Sequence, residues 1–192
     1  KLVAGVKSKM KENNVTVIDG EAMIQGRSEK GVEVTCNGES YLVKNLLICT
    51  GSEASVPPIP GLAEAGDTIL TNREILDLKE LPQSLVVIGG GVIGMEFASF
   101  YNSLGVKVTI VEMLPEILGG LDFEISAMLR DIYAKKGIEF HLNAKVVQVD
   151  GKKVVFEKEG KTETIEGDKI LISVGRRAVT KGFGLENLNV EM

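Results

Sequence analysis

The sequence of 192 residues has room for one complete domain and part of a second. Hydrophobic residues make up 44% and charged residues 26%, as in an ordinary soluble globular protein. The net charge is −5, and acidic and basic residues are mixed along the chain. This argues against nucleic acid as a partner, because binding its phosphates takes clustered lysines and arginines.

The sequence also bears on location and on metal binding. No stretch approaches the roughly 18 apolar residues of a membrane span, and residues 1–5 lack the apolar core of a signal peptide. The two cysteines, Cys36 and Cys49, lie 13 positions apart in strand patterns. Because this fits neither a disulfide framework nor a zinc site, we predict a cytoplasmic protein with no membrane segment and no metal.

The first 80 residues are rich in short strand patterns. A helix is predicted at residues 2–11 and a buried apolar strand at residues 46–49. Further strands are predicted at residues 15–18, 22–25, 32–36 and 40–43. Asn37-Gly38 predicts a tight hairpin between the last two, since a type I′ turn requires positive φ at both central residues.

The remainder of the chain alternates between strand and helix patterns, which is typical of a parallel sheet. Strands are predicted at residues 84–89, 107–112 and 170–172. The helix after the first of them has an apolar face formed by Ile93, Phe97, Phe100 and Leu104. Asp122 is the predicted N-cap of the next helix. The apolar stripe of that helix comprises Ile125, Met128, Leu129, Ile132 and Tyr133.

Two β-rich stretches resemble each other. Each has a hairpin turn that contains glycine, Asn37-Gly38 and then Glu159-Gly160, followed by an apolar run that reaches a glycine, Gly51 and then Gly175. The offsets between the two stretches are 122 positions for the turns and 124 for the glycines. We predict two copies of one fold, with the first βαβ unit of the first copy upstream of residue 1. The alternative is a chance likeness of two β-meanders.

A glycine-rich turn carries the strongest functional signal. Residues 89–94, Gly-Gly-Gly-Val-Ile-Gly, end an apolar strand and open a helix, which is the context that the G-x-G-x-x-G dinucleotide fingerprint requires. Gly89 would permit the tight turn, Gly91 the close approach of a pyrophosphate, and Gly94 the contact between helix and strand. Free N–H groups at the helix start would then bind the phosphates. The alternative is a glycine-rich turn that binds nothing.

Glu112 ends the next predicted strand, 23 residues after Gly89, where the fingerprint places its acidic residue. Its carboxylate can accept hydrogen bonds from the ribose hydroxyls of NAD. The 2′-phosphate of NADP would be repelled by about 4 kcal/mol per charge pair at ~4 Å and an effective dielectric constant near 20, before salt screening. We therefore predict a preference for NAD; the alternative is a solvated strand end.

Four other polar residues are weaker candidates. Glu96 lies in the first turn of the fingerprint helix, where the helix dipole alone would favour a carboxylate. Arg176 and Arg177 follow the last buried strand and are either site residues or surface charges. His141, the only histidine, has no serine or cysteine nucleophile motif nearby, and we predict a structural role for it.

Residues 85–113, with the Cys-Thr-Gly-Ser motif at 49–52 and the Gly-Arg-Arg motif at 175–177, resemble the pyridine nucleotide–disulfide oxidoreductases, and among them the dihydrolipoamide dehydrogenases. The resemblance covers essentially the whole chain. It implies an α/β protein with a Rossmann-like NAD(H)-binding domain at residues 81–192 that contains a β-meander insertion. Residues 1–80 would be a truncated piece of a second, similar domain that binds FAD.

The resemblance also implies which residues contact the two dinucleotides. Glu112 would hold the adenine ribose of NAD, Val146 would flank the adenine, and Gly175 would lie near the nicotinamide end. The pyrophosphate and the approach to the nicotinamide would be lined by Gly89, Gly90, Gly91, Val92, Ile93, Gly94 and Glu96. The FAD contacts of the intact enzyme would be Ala22, Thr50, Gly51 and Ser52.

The implied activity of the intact enzyme is oxidation of dihydrolipoamide with NAD through FAD, in a homodimer that serves a 2-oxoacid dehydrogenase complex. The chain has no Cys-x-x-x-x-Cys pair and no FAD fingerprint, so we expect no catalytic residue in it and no activity from it alone. An NADH oxidase, a transhydrogenase or a mercuric reductase could share these residues. A stand-alone NAD-sensing module is the alternative outside enzymes.

Overall fold

The structure, a computed structural model, describes residues 1–191. The chain divides into two compact units. We call residues 1–51 together with residues 178–191 the terminal unit, and residues 52–177 the sheet unit.

The terminal unit contains a helix, α1 (Leu2–Glu12), and an antiparallel meander of β1 (Ala22–Ser28), β2 (Gly31–Cys36) and β3 (Glu39–Val43). The turn between β2 and β3 has φ of 53° at Asn37 and 82° at Gly38, which confirms the predicted positive φ at both positions. A 3-10 turn (Leu185–Leu188) packs on the meander and shares its small core of Ile24, Val32 and Leu185.

Two predicted strands of the terminal unit are wrong. Residues 15–18 and 46–49 lie outside any strand, and the side chain of Leu47 is 86% exposed. Neither run has a strand beside it among the described residues of this unit, and an apolar run becomes a strand only where its backbone groups find a partner. Cys49 is accordingly an exposed thiol outside any strand, whereas Cys36 lies in β2, as its strand pattern predicted, and is buried.

The sheet unit is built on five parallel strands. They are β5 (Ile69–Leu70), β6 (Ser84–Ile88), β7 (Lys107–Val111), β8 (Glu139–His141) and β12 (Lys169–Ile172). Their order is β5-β12-β6-β7-β8. The central strands are runs of Val, Ile and Leu because side chains on both faces of the sheet are buried. The predicted α/β class with a parallel sheet is confirmed.

Helices cover one face of this sheet and a second meander covers the other. Residues from α2 (Val92–Ser103) and α3 (Phe123–Lys135) pack with the side chains of Leu85 and Val87. The opposite face, with Val86 and Ile88, packs against the meander of β9 (Lys145–Asp150), β10 (Lys153–Lys158) and β11 (Lys161–Glu166). A short ladder joins β4 (Ser52–Ala54) to β13 (Arg176–Ala178).

The two meanders bear out the internal likeness of the sequence. Each has three antiparallel strands, and the β10–β11 turn has φ of 51° at Glu159 and 74° at Gly160, close to the values at Asn37 and Gly38. Two-residue turns with positive φ match the twist of paired strands. The same type of turn therefore occurs in both meanders, 122 positions apart.

The boundaries of the compact units fall after residues 51 and 177, and the domain division at residue 80 stays a prediction. β5 pairs with β12 inside the parallel sheet, and the unit that contains the sheet begins at residue 52. At the other end, residues 178–191 pack with the first meander, since Ile24 N donates to Phe183 O at 2.8 Å. Sequence periodicity could not reveal either pairing, because both join segments far apart in the chain.

The helix starts were predicted better than the helix faces. Asp122 caps α3 as expected, its side chain accepting from Glu124 N at 3.0 Å and from Ile125 N at 3.2 Å. The predicted stripe of α3 is only partly correct: Leu129 and Tyr133 pack on the core, while Ile125 and Met128 are each 62% exposed.

The face predicted for α2 is also partly wrong. Its buried residues are Gly94, Met95, Ala98 and Tyr101. Phe97 packs partly on the core, and Phe100 and Leu104 are exposed. A helix that is apolar nearly all round does not indicate by periodicity which side meets the sheet. None of the helices in the described part of the chain is long and apolar enough to span a membrane.

Candidate functional site

A cavity of about 660 Å³ opens at the carboxyl ends of three strands of the sheet unit. Gly89 follows β6, Glu112 follows β7, and residues 173–175 follow β12. β7 and β12 flank β6 on opposite sides, so the chain order reverses at β6. Ligands of open parallel sheets bind at this kind of switch point, and the volume lies in the usual range for small-molecule sites.

The three fingerprint glycines have different surroundings. A Cβ atom on Gly89, which has φ of +103°, would collide with the carbonyl oxygen of Ser173, and one on Gly94 would collide with the carbonyl oxygen of Gly89. A Cβ atom on Gly91 would meet nothing within 4 Å. Gly89 and Gly94 are therefore required by the fold, whereas the space beside Gly91 is open for a ligand.

The start of α2 faces this open space with free donors. Gly91 is its N-cap residue, and no side chain among the described residues caps the helix. The first N–H groups of a helix lack partners within the helix, and together with the helix dipole they favour an anion. Val92 and Ile93, in the first turn of α2, both line the cavity. The arrangement fits a phosphate group at the helix start.

The carboxylate of Glu112 is held by two backbone donors, one of which belongs to the fingerprint turn. Its Oε2 accepts from Gly90 N at 2.5 Å, and its Oε1 accepts from Leu114 N at 2.7 Å. An ionised carboxylate can accept about four hydrogen bonds, which leaves capacity for two hydroxyl groups of a ligand. Glu112 is thus both fixed in direction and able to bind a ribose.

Arg176 lines the cavity beside Gly175. Its Nε donates to Ser52 Oγ at 2.8 Å, one Nη donates to the Ser52 carbonyl oxygen, and the other donates to Asn72 Oδ1 at 3.3 Å. The side chain of Arg176 is therefore fixed in the cavity wall by its hydrogen bonds to Ser52 and Asn72. Arg177 points elsewhere and pairs with Glu53 at 2.8 Å on the surface.

The structure places most of the residues predicted for NAD in the cavity wall. Those that line it are Gly89, Gly91, Val92, Ile93, Glu112, Val146 and Gly175. Gly90 and Gly94 lie just behind the wall, where Gly90 holds Glu112 and Gly94 packs against β6. Glu96 is exposed on α2 and is not among the lining residues.

The residues predicted for FAD are divided between the two units. In the terminal unit, Ala22 begins β1 with an exposed side chain, and Thr50 Oγ1 donates to Val179 O at 2.6 Å. Gly51, with φ of +76°, accepts from Val179 N at 3.0 Å. Ser52 belongs to the sheet unit and binds Arg176.

Sequence reasoning missed a group of lining residues. They are Ala54, Pro57, Ile59, Asn72, Leu114, Ala144, Lys145, Ser173 and Val174. Several come from the proline-rich segment before β5 and from the loop after β7, where no periodic pattern indicates which side chains turn inward. Ser173 had a usable signal, since it directly follows a buried strand at the same edge of the sheet as Gly89.

Neither the cysteines nor the histidine lies in the cavity wall. Cys36 and Cys49 are free thiols of the terminal unit. The ring of His141 packs at a tilt of 53° against Phe156, with ring centroids 4.8 Å apart, and its Nε2 lies 3.1 Å from Glu139 Oε1. The structural role of His141 stays a prediction.

The fold and the cavity define a class of protein, and sequence comparison agrees. Residues 1–192 match the pyridine nucleotide-disulphide oxidoreductase family over their whole length, and the chain belongs to this family. It is 47% identical to the dihydrolipoyl dehydrogenase of Acholeplasma laidlawii, covering 100% of this chain and 56% of that one. It is 39% identical to the human mitochondrial dihydrolipoyl dehydrogenase, covering 100% of this chain and 39% of the relative. The chain thus spans between 39% and 56% of the length of these relatives.

Solved structures give the same result. The HOCl-induced flavoprotein disulfide reductase RclA from Escherichia coli matches 98% of this chain and 44% of its own, with a TM-score of 0.80 and 30% identity. LpdA from Mycobacterium tuberculosis matches 98% of this chain and 42% of its own, with a TM-score of 0.82 and 27% identity. The predicted family and fold class are confirmed.

Proposed function

We propose that the cavity of the sheet unit binds NAD(H), and that the whole protein is an NAD-dependent dihydrolipoamide dehydrogenase. One observation supports the binding proposal above all others. The fingerprint turn is packed tight at Gly89 and Gly94 but open at Gly91, at a helix start that no described side chain caps.

Different residues of the cavity would bind different parts of the dinucleotide. The N–H groups at the start of α2 would bind the pyrophosphate, and Glu112 would accept from the ribose hydroxyls on the adenine side. Val146 would flank the adenine, and Gly175 would lie at the nicotinamide end. When bound, the nicotinamide supplies a group that accepts or donates a hydride.

Replacing Glu112 by alanine tests the assignment of the ribose carboxylate. We expect the unaltered chain to bind NADH more than tenfold more tightly than NADPH, since even half of the ~4 kcal/mol repulsion of a 2′-phosphate exceeds a factor of ten. In Glu112→Ala, NADH should bind about tenfold more weakly, because hydrogen bonds to a charged group are lost, and the discrimination against NADPH should disappear. Isothermal titration calorimetry measures both affinities.

Glu64→Ala is the matched control, because Glu64 is an exposed carboxylate of the same unit outside the cavity wall. It should bind both nucleotides as the unaltered chain does. Equal affinities for NADH and NADPH in the unaltered chain would remove the role assigned to Glu112.

For the whole protein we propose oxidation of dihydrolipoamide with NAD, with FAD between the thiol and the nicotinamide. The proposal is supported by the relatives named dihydrolipoyl dehydrogenase. In the whole protein, Ala22, Thr50, Gly51 and Ser52 would contact FAD. We further propose a cytoplasmic homodimer that serves a 2-oxoacid dehydrogenase complex.

The thiol substrate is tested by steady-state turnover of the whole protein. We expect reduction of NAD by dihydrolipoamide, and none by residues 1–192 alone, whose two cysteines are separate free thiols. Oxidation of NADH by oxygen, by NADP or by mercuric ion, without turnover of dihydrolipoamide, would instead assign the protein to an NADH oxidase, a transhydrogenase or a mercuric reductase.

A further inference from the structure

The loop that follows Glu112 is bound to the fingerprint turn. We call residues 113–121 the β7–α3 loop. Leu118 N donates to the carbonyl oxygen of Gly90 at 2.8 Å, and Asn143 N donates to the carbonyl oxygen of Leu114 at 3.0 Å. Leu114 N in turn donates to Glu112. The loop therefore contacts both the turn and the carboxylate that line the cavity.

Within this loop, Glu116 is a charged residue in a buried position, only 7% exposed. Its two carboxylate oxygens accept from Arg130 Nε at 3.0 and 3.1 Å, and Oε1 also accepts from Ile117 N at 2.9 Å. Charged groups are rarely buried unless they are paired. The pair joins the loop to α3 and does not line the cavity.

A continuous set of contacts leads from this ion pair to Glu112. Ile117, next to Glu116, is 1% exposed, and its Cγ2 would lie 3.1 Å from a Cβ atom on Gly90. The same Cβ atom would lie 3.3 Å from Glu112 Oε2, and Gly90 N donates to that oxygen. Ile117, which follows Glu116 in the chain, therefore lies against Gly90, and Gly90 in turn binds the carboxylate of Glu112.

We propose that the Glu116–Arg130 ion pair is a positioning element that holds the Glu112 carboxylate toward the ribose edge of the cavity and thereby sets the preference for NAD over NADP. This rests on the function proposed above. Glu116 and Arg130 are positioning residues, since neither touches the cavity. Loss of the pair would loosen the β7–α3 loop, and Glu112 would lose the fixed direction that favours a ribose with a free 2′-hydroxyl.

The test compares NADH and NADPH affinities by calorimetry in the unaltered chain, Glu116→Gln, Arg130→Met and the double variant. Each single variant should lower the ratio of the two affinities about fivefold, mainly through weaker NADH binding, and the double variant should lower it no further, as expected for two groups that act as one unit. Hydrogen exchange should also become faster at Leu118 N and Gly90 N, which a change in affinity alone would not produce.

Two further variants separate positioning from general stability. Arg130 Nη1 also pairs with the exposed carboxylate of Asp131 at 2.7 Å, so Asp131→Asn removes a charge partner of the same arginine without touching Glu116. It should leave the ratio unchanged. Arg130→Lys keeps the charge but cannot reproduce the planar guanidinium geometry. It should give an intermediate ratio even if Arg130→Met fails to fold.

An unchanged affinity ratio in Glu116→Gln and Arg130→Lys, with only a lower melting temperature, would overturn the inference while leaving the proposed function intact. An unaltered chain that does not distinguish NADH from NADPH would overturn both.

Discussion

Gly91→Ala is expected to weaken NADH binding at least tenfold while changing the free energy of unfolding by less than about 1 kcal/mol. Gly91 has φ of −70°, which alanine adopts without strain, and the new Cβ atom would meet no protein atom within 4 Å. It would instead occupy the space at the helix start into which a pyrophosphate has to come. Calorimetry with NADH and urea denaturation measure the two effects separately.

Gly5→Ala is the matched control for this substitution, since Gly5 lies in α1 of the terminal unit and its Cβ atom would also meet nothing within 4 Å. It should leave NADH affinity unchanged. NADH binding by Gly91→Ala at the unaltered affinity would show that the phosphates do not approach this turn.

Gly94→Ala, unlike Gly91→Ala, is expected to change mainly the stability of the protein. It should lower the free energy of unfolding of the sheet unit by about 2–4 kcal/mol. In an exposed helix the same change would add stability of about 1 kcal/mol, because glycine is a poor helix former. Here the Cβ atom would collide with the carbonyl oxygen of Gly89 and press on Val87 and Ser173. The helix would have to move away from β6.

Urea denaturation followed by far-ultraviolet circular dichroism measures this change, because α2 and α3 both belong to the sheet unit. Gly5→Ala again provides the comparison, a helical glycine with open space around it. If Gly94→Ala were as stable as the unaltered chain or more so, the close contact between α2 and the fingerprint turn would be contradicted.

The parts of the site that the sequence predicts are those fixed by local chemistry. The fingerprint at residues 89–94 can be recognised in the sequence because it places three glycines within six residues. Gly89 forms the tight turn, Gly91 leaves space open, and Gly94 allows the close contact of the helix. Asp122 can be predicted as an N-cap because its side chain accepts from N–H groups two and three residues ahead. The hairpin turn at Asn37-Gly38 can be predicted because few residue pairs take positive φ at both positions.

The parts that the sequence does not predict depend on distant partners. Residues 46–49 have the composition of a buried strand, yet the described residues of the terminal unit offer them no neighbouring strand. Arg176 could not be told from a surface charge, because its partners Ser52 and Asn72 lie more than 100 positions away. Glu116 looked like any loop carboxylate until Arg130 was found beside it.

The location of the nucleotide is tested most directly by titrating the ¹⁵N-labelled chain of 20.7 kDa with NADH and recording ¹H–¹⁵N correlation spectra. The amide signals of Gly91, Val92 and Ile93 should shift together with those of Glu112 and Gly175, all following one saturation curve. Saturable shifts that leave residues 89–93 and Glu112 unmoved, or no saturable shift at all, would contradict binding of NAD(H) at the start of α2.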